Sequence, residues 1–192
     1  DGYLEKHEPS PDERANLVKD FVNEGKDMNA AGYCSTYINN FFICNTNGLN
    51  STDTSSSAFI DAIFRTDTSA GSSHRGAVDI KDLDAAQTGN EAASLAIDSQ
   101  NPVDIDPGKY EVILGHEAVS TILVFLSVYG LNAKSKIDGM SPILINEKQF
   151  DEKITLIDTP EDDESIGFKI DASGAKKHNL EVIKNGIPNT FF

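Results

Sequence analysis

Basic residues are scarce in this chain. Sixteen lysines and arginines stand against 31 aspartates and glutamates among 192 residues, a formal net charge of −15. A nucleic-acid surface needs clustered Lys and Arg to displace counterions from phosphates, so this balance argues against direct nucleic-acid binding. An acidic surface keeps a protein soluble, and an acidic cytosolic or salt-adapted proteome is the plain explanation; a specific basic partner is the sharper one. Long apolar runs are missing as well. The longest surrounds Ile122 to Leu131 and is interrupted by Ser127 and Gly130, short of the ~18 apolar residues a membrane-spanning helix requires. No signal-peptide pattern opens the sequence. The expectation is a cytoplasmic protein with no membrane partner. It opens with Asp1 and stops at Phe192, and is expected to be a piece of a longer protein.

Cysteine is nearly absent. Cys34 and Cys44 lie ten positions apart in apolar, strand-like stretches, where reduced thiols are the default and a hairpin disulfide would need an oxidising compartment. With no Cys-x-x-Cys there is no support for a structural zinc site. Several catalytic signatures are missing too. The run Ser51 to Ser57 lacks the glycines and lysine of a phosphate loop, and no Gly-x-Ser-x-Gly elbow occurs. Glu161-Asp162-Asp163-Glu164 lacks the alternating ligands and central glycine of an EF-hand; after Pro160 it reads as a solvated loop.

What is present is a hydrophobic content of 39 %, enough for a packed core. Ser10-Pro11-Asp12-Glu13 carries the elements of a capping box with proline at the first helical position. Leu17, Val18, Phe21 and Val22 continue it as a helical stripe, and Gly25 ends it. Strand patterns follow at 33–38 and 41–45, separated by a turn signal at Asn39-Asn40, and Asn47-Gly48 marks another turn. Phe59, Ile60, Ile63 and Phe64 suggest a third strand, although their spacing also fits a short helix. Residues 68–74 read as a fourth strand or a loop. A second helix is predicted over 79–98, with Ile80, Leu83, Ala92, Leu95 and Ala96 on its apolar side and Gly89 weakening its middle.

Pro102 to Gly108 reads as a linker and the candidate domain boundary. It separates residues 1–106, the end of an N-terminal α+β domain, from residues 107–192, the start of a C-terminal β-rich domain. The second part opens with a strand at 109–114 and a helix over about 116–129, where Ile122, Phe125, Leu126 and Tyr129 form an expected core stripe. Strands are predicted at 153–157, 166–170 and 180–183. Asn185-Gly186 is a hairpin turn signal, with a partner strand from Ile187. The fold class is α+β, antiparallel sheets with packing helices.

His116-Glu117 is the most informative dipeptide. It sits in the predicted first turn of a helix, as half of a zinc-peptidase signature. The next turn, where a second imidazole would complete a helical zinc site, holds Ser120 and Thr121. Hydrolytic zinc needs three protein ligands and an open position, and a hydroxyl that stays protonated at neutral pH is a poor substitute for an imidazole. His7, His74 and His178 have no helical spacing to His116. The alternative is that Glu117 simply complements the helix dipole.

The order of elements is similar to that of the TldD/PmbA family, grouped with metallopeptidases and also called modulators of DNA gyrase. The resemblance is carried by the Asn45 to Ser57 turn and strand, the acidic helix before a proline linker, and Gly108-Lys109-Tyr110-Glu111-Val112-Ile113-Leu114. Ile154 to Asp158 and Gly167 to Gly174 carry it further. In the TldD branch the helix bears His-Glu-x-x-x-His and a distant Cys completes the zinc site. The resemblance therefore implies His116 as a metal ligand and Glu117 as the catalytic base, but Thr121 occupies the place of the second His and both cysteines precede the motif. The PmbA branch lacks the zinc signature, and this chain looks more like that branch. The implied role is a subunit of a proteolytic assembly that binds unfolded peptide and forms a homo- or heterodimer with a TldD/PmbA-like subunit. No cofactor is expected of this chain, with zinc as the open alternative. Two other readings stand beside it: an active metallopeptidase with ligands from elsewhere, and a non-enzymatic structural or assembly protein.

Overall fold

A computed structural model describes residues 8–192; His7 lies outside the described residues. The chain forms two units. One comprises residues up to Pro107 together with Asp162–Lys177, and the other Gly108–Glu161 with His178–Phe192.

In the first unit, helix α1 (Pro11–Glu24) starts at a complete capping box. The Glu13 backbone N–H donates to Ser10 Oγ at 3.2 Å, and the Ser10 N–H donates to Glu13 Oε2 at 2.8 Å. Gly25 ends the helix where the Phe64 ring fills the space a Cβ would need, 1.9 Å from Cε1. Strands β1 (Asn29–Cys44), β2 (Asn50–Arg65) and β3 (Ala70–Ala77) make an antiparallel sheet in the order β1-β2-β3. β2 is a strand throughout, which resolves the strand-or-helix ambiguity at Phe59 to Phe64; of residues 68–74, those from Ala70 onward join strand β3 and the first two lie in the preceding turn. The alternation along β2 turns Ala58, Ile60, Ala62 and Phe64 inward, as a half-buried strand requires. The second predicted helix divides into a 3-10 turn at Ile80–Asp82 and helix α2 (Ala85–Asp98), because the Asp84 side chain accepts from Gln87 N–H and caps α2. Phe21 of α1 meets Phe64 edge-on at 6.3 Å. They form one core with Ile60, Ile80, Ala92 and Ala96.

The turn expected at Asn39-Asn40 is not there. β1 runs through it, with Asn39 opposite Ser55 and Asn40 opposite Thr54. The Thr54 hydroxyl donates to Asn40 Oδ1 at 2.8 Å. A partner strand satisfies groups that in isolation favour a turn. The reversal comes at 45–49, where Asn45 Oδ1 accepts from the N–H groups of Asn47 and Leu49. Residues 162–177 pack on this hairpin. Ser51 Oγ donates to the Gly174 carbonyl at 3.0 Å, and the Phe41 and Phe168 rings are 5.3 Å apart.

The second unit holds helix α3 (His116–Phe125), a π-helical turn at Leu126–Gly130 and the short helix α4 (Ala133–Ile137). A small antiparallel sheet runs β4 (Leu156–Asp158), β5 (Leu180–Lys184), β6 (Ile187–Pro188) in that order. Leu131, Ile143, Val182 and Ile183 are its core. Three expected strands are shortened or absent. Residues 109–114 are not in a strand and have no strand neighbour among the described residues. β4 begins only at Leu156, because Asp151 accepts from the N–H groups of Lys153 and Ile154 and holds them in a turn. Of 166–170, Ile170 alone pairs, with Lys176. Asn185 and Gly186 do form the hairpin turn, both at positive φ (48° and 80°), as a primed turn requires. Helices and two antiparallel sheets make this an α+β protein.

Candidate functional site

His116 opens α3 and Glu117 lies in its first turn, behind a Gly115 N-cap that supplies no side-chain hydrogen bond. A carboxylate there is favoured by the unsatisfied N–H groups of the helix start. Thr121 turns its hydroxyl back along the helix and donates to the Glu117 carbonyl at 3.1 Å. The Thr121 oxygen is thus tied to the backbone, at the position where a second imidazole would project.

Nothing on α3 is buried. The expected core stripe is a correction: Ile122, Phe125 and Tyr129 are each more than half exposed, and Leu126 alone of the four packs against the second unit's core. The π-helical turn shifts the residues after Phe125 around the axis, so the stripe does not continue along one straight line. The opposite stripe carries His116, Val119, Ser120, Leu123, Val124 and Ser127 along an open groove of about 560 Å³.

Among the described residues no three His, Cys, Asp or Glu side chains gather as a metal-binding group. His178 Nδ1 lies 3.1 Å from Glu161 Oε1, and His74 sits in β3 opposite Asp61. Cys34 and Cys44 are free thiols in β1 of the first unit. The donor set at α3 is one imidazole, one carboxylate and two hydroxyls, which does not fit hydrolytic zinc.

A second concave region was not anticipated from motifs. It lies beside β1 and has a volume of about 430 Å³; the five consecutive residues 34–38 line it together with Glu8, Pro9 and Arg14. Arg14 donates to the Pro9 carbonyl at 2.8 Å and to Thr36 Oγ1 at 3.1 Å. Burial pushes the Cys34 thiol above its ordinary range, against a smaller opposing pull from Arg14. The available signal was composition: β1 has no charged residue and no proline over sixteen positions, in a chain that is 24 % charged.

A two-helix, three-stranded unit followed by a unit that opens on an exposed helix and closes on small β hairpins is a known architecture. A candidate modulator of a DNA gyrase from Thermotoga maritima matches at a TM-score of 0.87 with 20 % identity, over 96 % of this chain and 45 % of that one. A candidate modulator of DNA gyrase from Bacteroides thetaiotaomicron matches at 0.84 with 19 % identity, over 99 % and 49 %. TldE from Thermococcus kodakarensis matches at 0.74 with 20 % identity, over 100 % and 48 %. This chain therefore spans about half the length of the solved structures it matches. Residues 107–192 match the family model of the PmbA/TldA metallopeptidase C-terminal domain. No curated protein matches. The fold class is that of the candidate gyrase modulators. In its fold, and in the sequence of residues 107–192, the chain is similar to TldD/PmbA-type proteins.

Proposed function

We propose that this chain acts as a PmbA-like subunit of a TldD/PmbA-type proteolytic assembly in the cytoplasm. It binds unfolded peptide without holding a complete zinc site of its own, and it pairs with a like or TldD-like subunit. Residues 1–106 and 107–192 are taken as the end of one domain and the start of the next. The observation that carries this reading is Thr121: the position that would complete His-Glu-x-x-x-His carries a hydroxyl bonded to the Glu117 carbonyl. One imidazole does not grip a transition metal at useful affinity, and the usual hydrolytic site has three protein ligands. That the chain matches TldE in fold supports an assembly of two related subunits. No helix of the described residues is long and apolar enough to cross a membrane.

Equilibrium zinc titration tests the reading. Substoichiometric, weak binding that is unchanged in His116→Ala is expected. One tightly held zinc per chain, lost on His116→Ala, would overturn it.

His116 and Glu117 keep a second reading in view, an active metallopeptidase whose remaining ligands come from a partner chain. It requires peptide hydrolysis by the assembled protein that both a chelator and Glu117→Gln abolish.

A further inference from the structure

We infer that Asn47, in the turn between β1 and β2, is a site of spontaneous deamidation, and that Asn185, the other asparagine followed by glycine, is protected by the fold. The inference stands apart from the peptide-binding reading and needs no partner surface.

The dipeptide fixes the chemistry. The main-chain nitrogen of the glycine attacks the side-chain amide carbon of the asparagine. A bond forms between Gly N and Asn Cγ, the Cγ–Nδ2 bond breaks, and ammonia leaves with the proton that the glycine nitrogen gives up. Water then opens the cyclic imide at either carbonyl and leaves an aspartyl or an isoaspartyl residue. Glycine suits the attack because it has no Cβ and few backbone restrictions. The sequence offers this pairing twice, at Asn47-Gly48 and at Asn185-Gly186.

The fold separates the two. The hydrogen bonds that close the first turn are all made within it. The Asn45 N–H donates to the Leu49 carbonyl at 3.1 Å, and the Gly48 N–H donates to the Asn45 carbonyl at 3.2 Å. Asn45 Oδ1 accepts from the N–H groups of Asn47 and Leu49 at 2.9 and 3.1 Å. Asn47 and Gly48 are exposed, and a Cβ at Gly48 would meet nothing within 4 Å. Opening one bond inside this short loop frees the attacking nitrogen, a local event of small cost.

In the second turn the bonds reach other segments. Gly186 is buried. Its N–H donates to the Ile154 carbonyl at 2.9 Å, and its carbonyl accepts from the N–H groups of Gln149 and Phe150 at 3.1 and 3.0 Å. The Asn185 N–H donates to Thr155 Oγ1 at 3.2 Å. Freeing that nitrogen requires the β5–β6 turn to part from residues 149–155. Conversion at Asn47 adds a carboxylate to the first turn. The isoaspartyl form also adds one main-chain atom between Asn45 and Leu49, which the two Asn45 Oδ1 bonds do not span unchanged.

The test ages the 192-residue chain in mildly alkaline buffer, once folded and once in urea. Mass spectrometry follows each site after pepsin digestion in acid, where cyclisation stops. In the folded chain Asn47 is expected to convert at least about tenfold faster than Asn185, because opening a segment tied into the fold is the rarer event. In urea the two sites should convert at similar rates. Isoaspartyl methyltransferase should label the folded chain at position 47 and not at 185. Equal rates in the folded chain overturn the inference, as does an Asn47 that persists in the folded chain while converting in urea.

Discussion

Gly89 of α2 lies against the backbone of Phe21 of α1: a Cβ at Gly89 would stand 2.6 Å from the Phe21 carbonyl oxygen and 2.9 Å from its Cα. The two helices approach so closely because that position has no side chain. Elsewhere in an exposed helix, Gly→Ala gains about 1 kcal/mol. Here the obstacle is backbone, and Gly89 is buried between the two helices. Gly89→Ala is expected to lower stability by about 1–3 kcal/mol as an overpacking substitution, read as a lower urea midpoint with an unchanged denaturant slope.

Phe21 itself anchors the first unit. It is 1 % exposed and meets Phe64 edge-on. Phe21→Ala should cost about 3–5 kcal/mol, while Phe21→Leu should cost clearly less. Thermal unfolding followed by circular dichroism distinguishes the two, and equal losses would contradict a packing role.

Glu91 on α2 receives both Arg75 guanidinium contacts through Nη2, at 2.7 and 2.5 Å, together with the Ser73 hydroxyl and the Gln87 amide. Partial burial raises its pKa, but the hydrogen bonds from Ser73, Arg75 and Gln87 and the Arg75 charge outweigh it, and the carboxyl is held below its ordinary value. A carboxylate depressed in the folded state adds stability that is complete above its unfolded pKa of about 4.3 and is lost as pH falls through the folded pKa. The pair is a third exposed, so the effect is small. Glu91→Gln should flatten the acid limb of the stability curve below about pH 5 and leave its shape near neutrality alone. Urea midpoints measured across that range check it.

Asn185 and Gly186 hold the β5–β6 turn. Gly186 has φ of 80°, and a Cβ there would meet the Phe150 carbonyl oxygen at 2.4 Å. Gly186→Ala is therefore strained twice, by conformation and by contact, and should lose more than the ~1 kcal/mol of an ordinary αL penalty. Hydrogen exchange should speed at Val182 and Ile183, which β5 brings to the core, before it does in the first unit.

Thr121→His restores a second ring nitrogen five residues after His116. If the shortage of donors is what limits metal binding, zinc affinity should rise at least about tenfold in this variant, since a second imidazole supplies one of the usual three ligands. Isothermal titration measures it. No gain would mean that the helix face, and not the missing residue, is the obstacle.

Local chemistry was legible from residues alone. Ser10 and Glu13 announce the start of α1, Asn185-Gly186 announces its hairpin, and the family resemblance follows from motif order. The misreadings share one cause. Asn39-Asn40 has the composition of a turn, yet Ser55 and Thr54 across the hairpin hold it in strand. Ile122, Phe125 and Tyr129 have the spacing of a core stripe, yet they stand exposed. The groove beside β1 was hidden because residues 34–38 meet Glu8, Pro9 and Arg14 only in the folded chain, and no motif marks them.

Sequence by itself determined the caps, the tight turns, the acidic balance and the missing imidazole at Thr121, since each depends on residues within a turn or two of one another. Tertiary structure alone decided which apolar stripes are covered, where β1 runs unbroken, and that Gly89 is needed for close helix approach. Burial and strand pairing depend on what arrives from far along the chain, and a periodicity states only which side of an element could be buried.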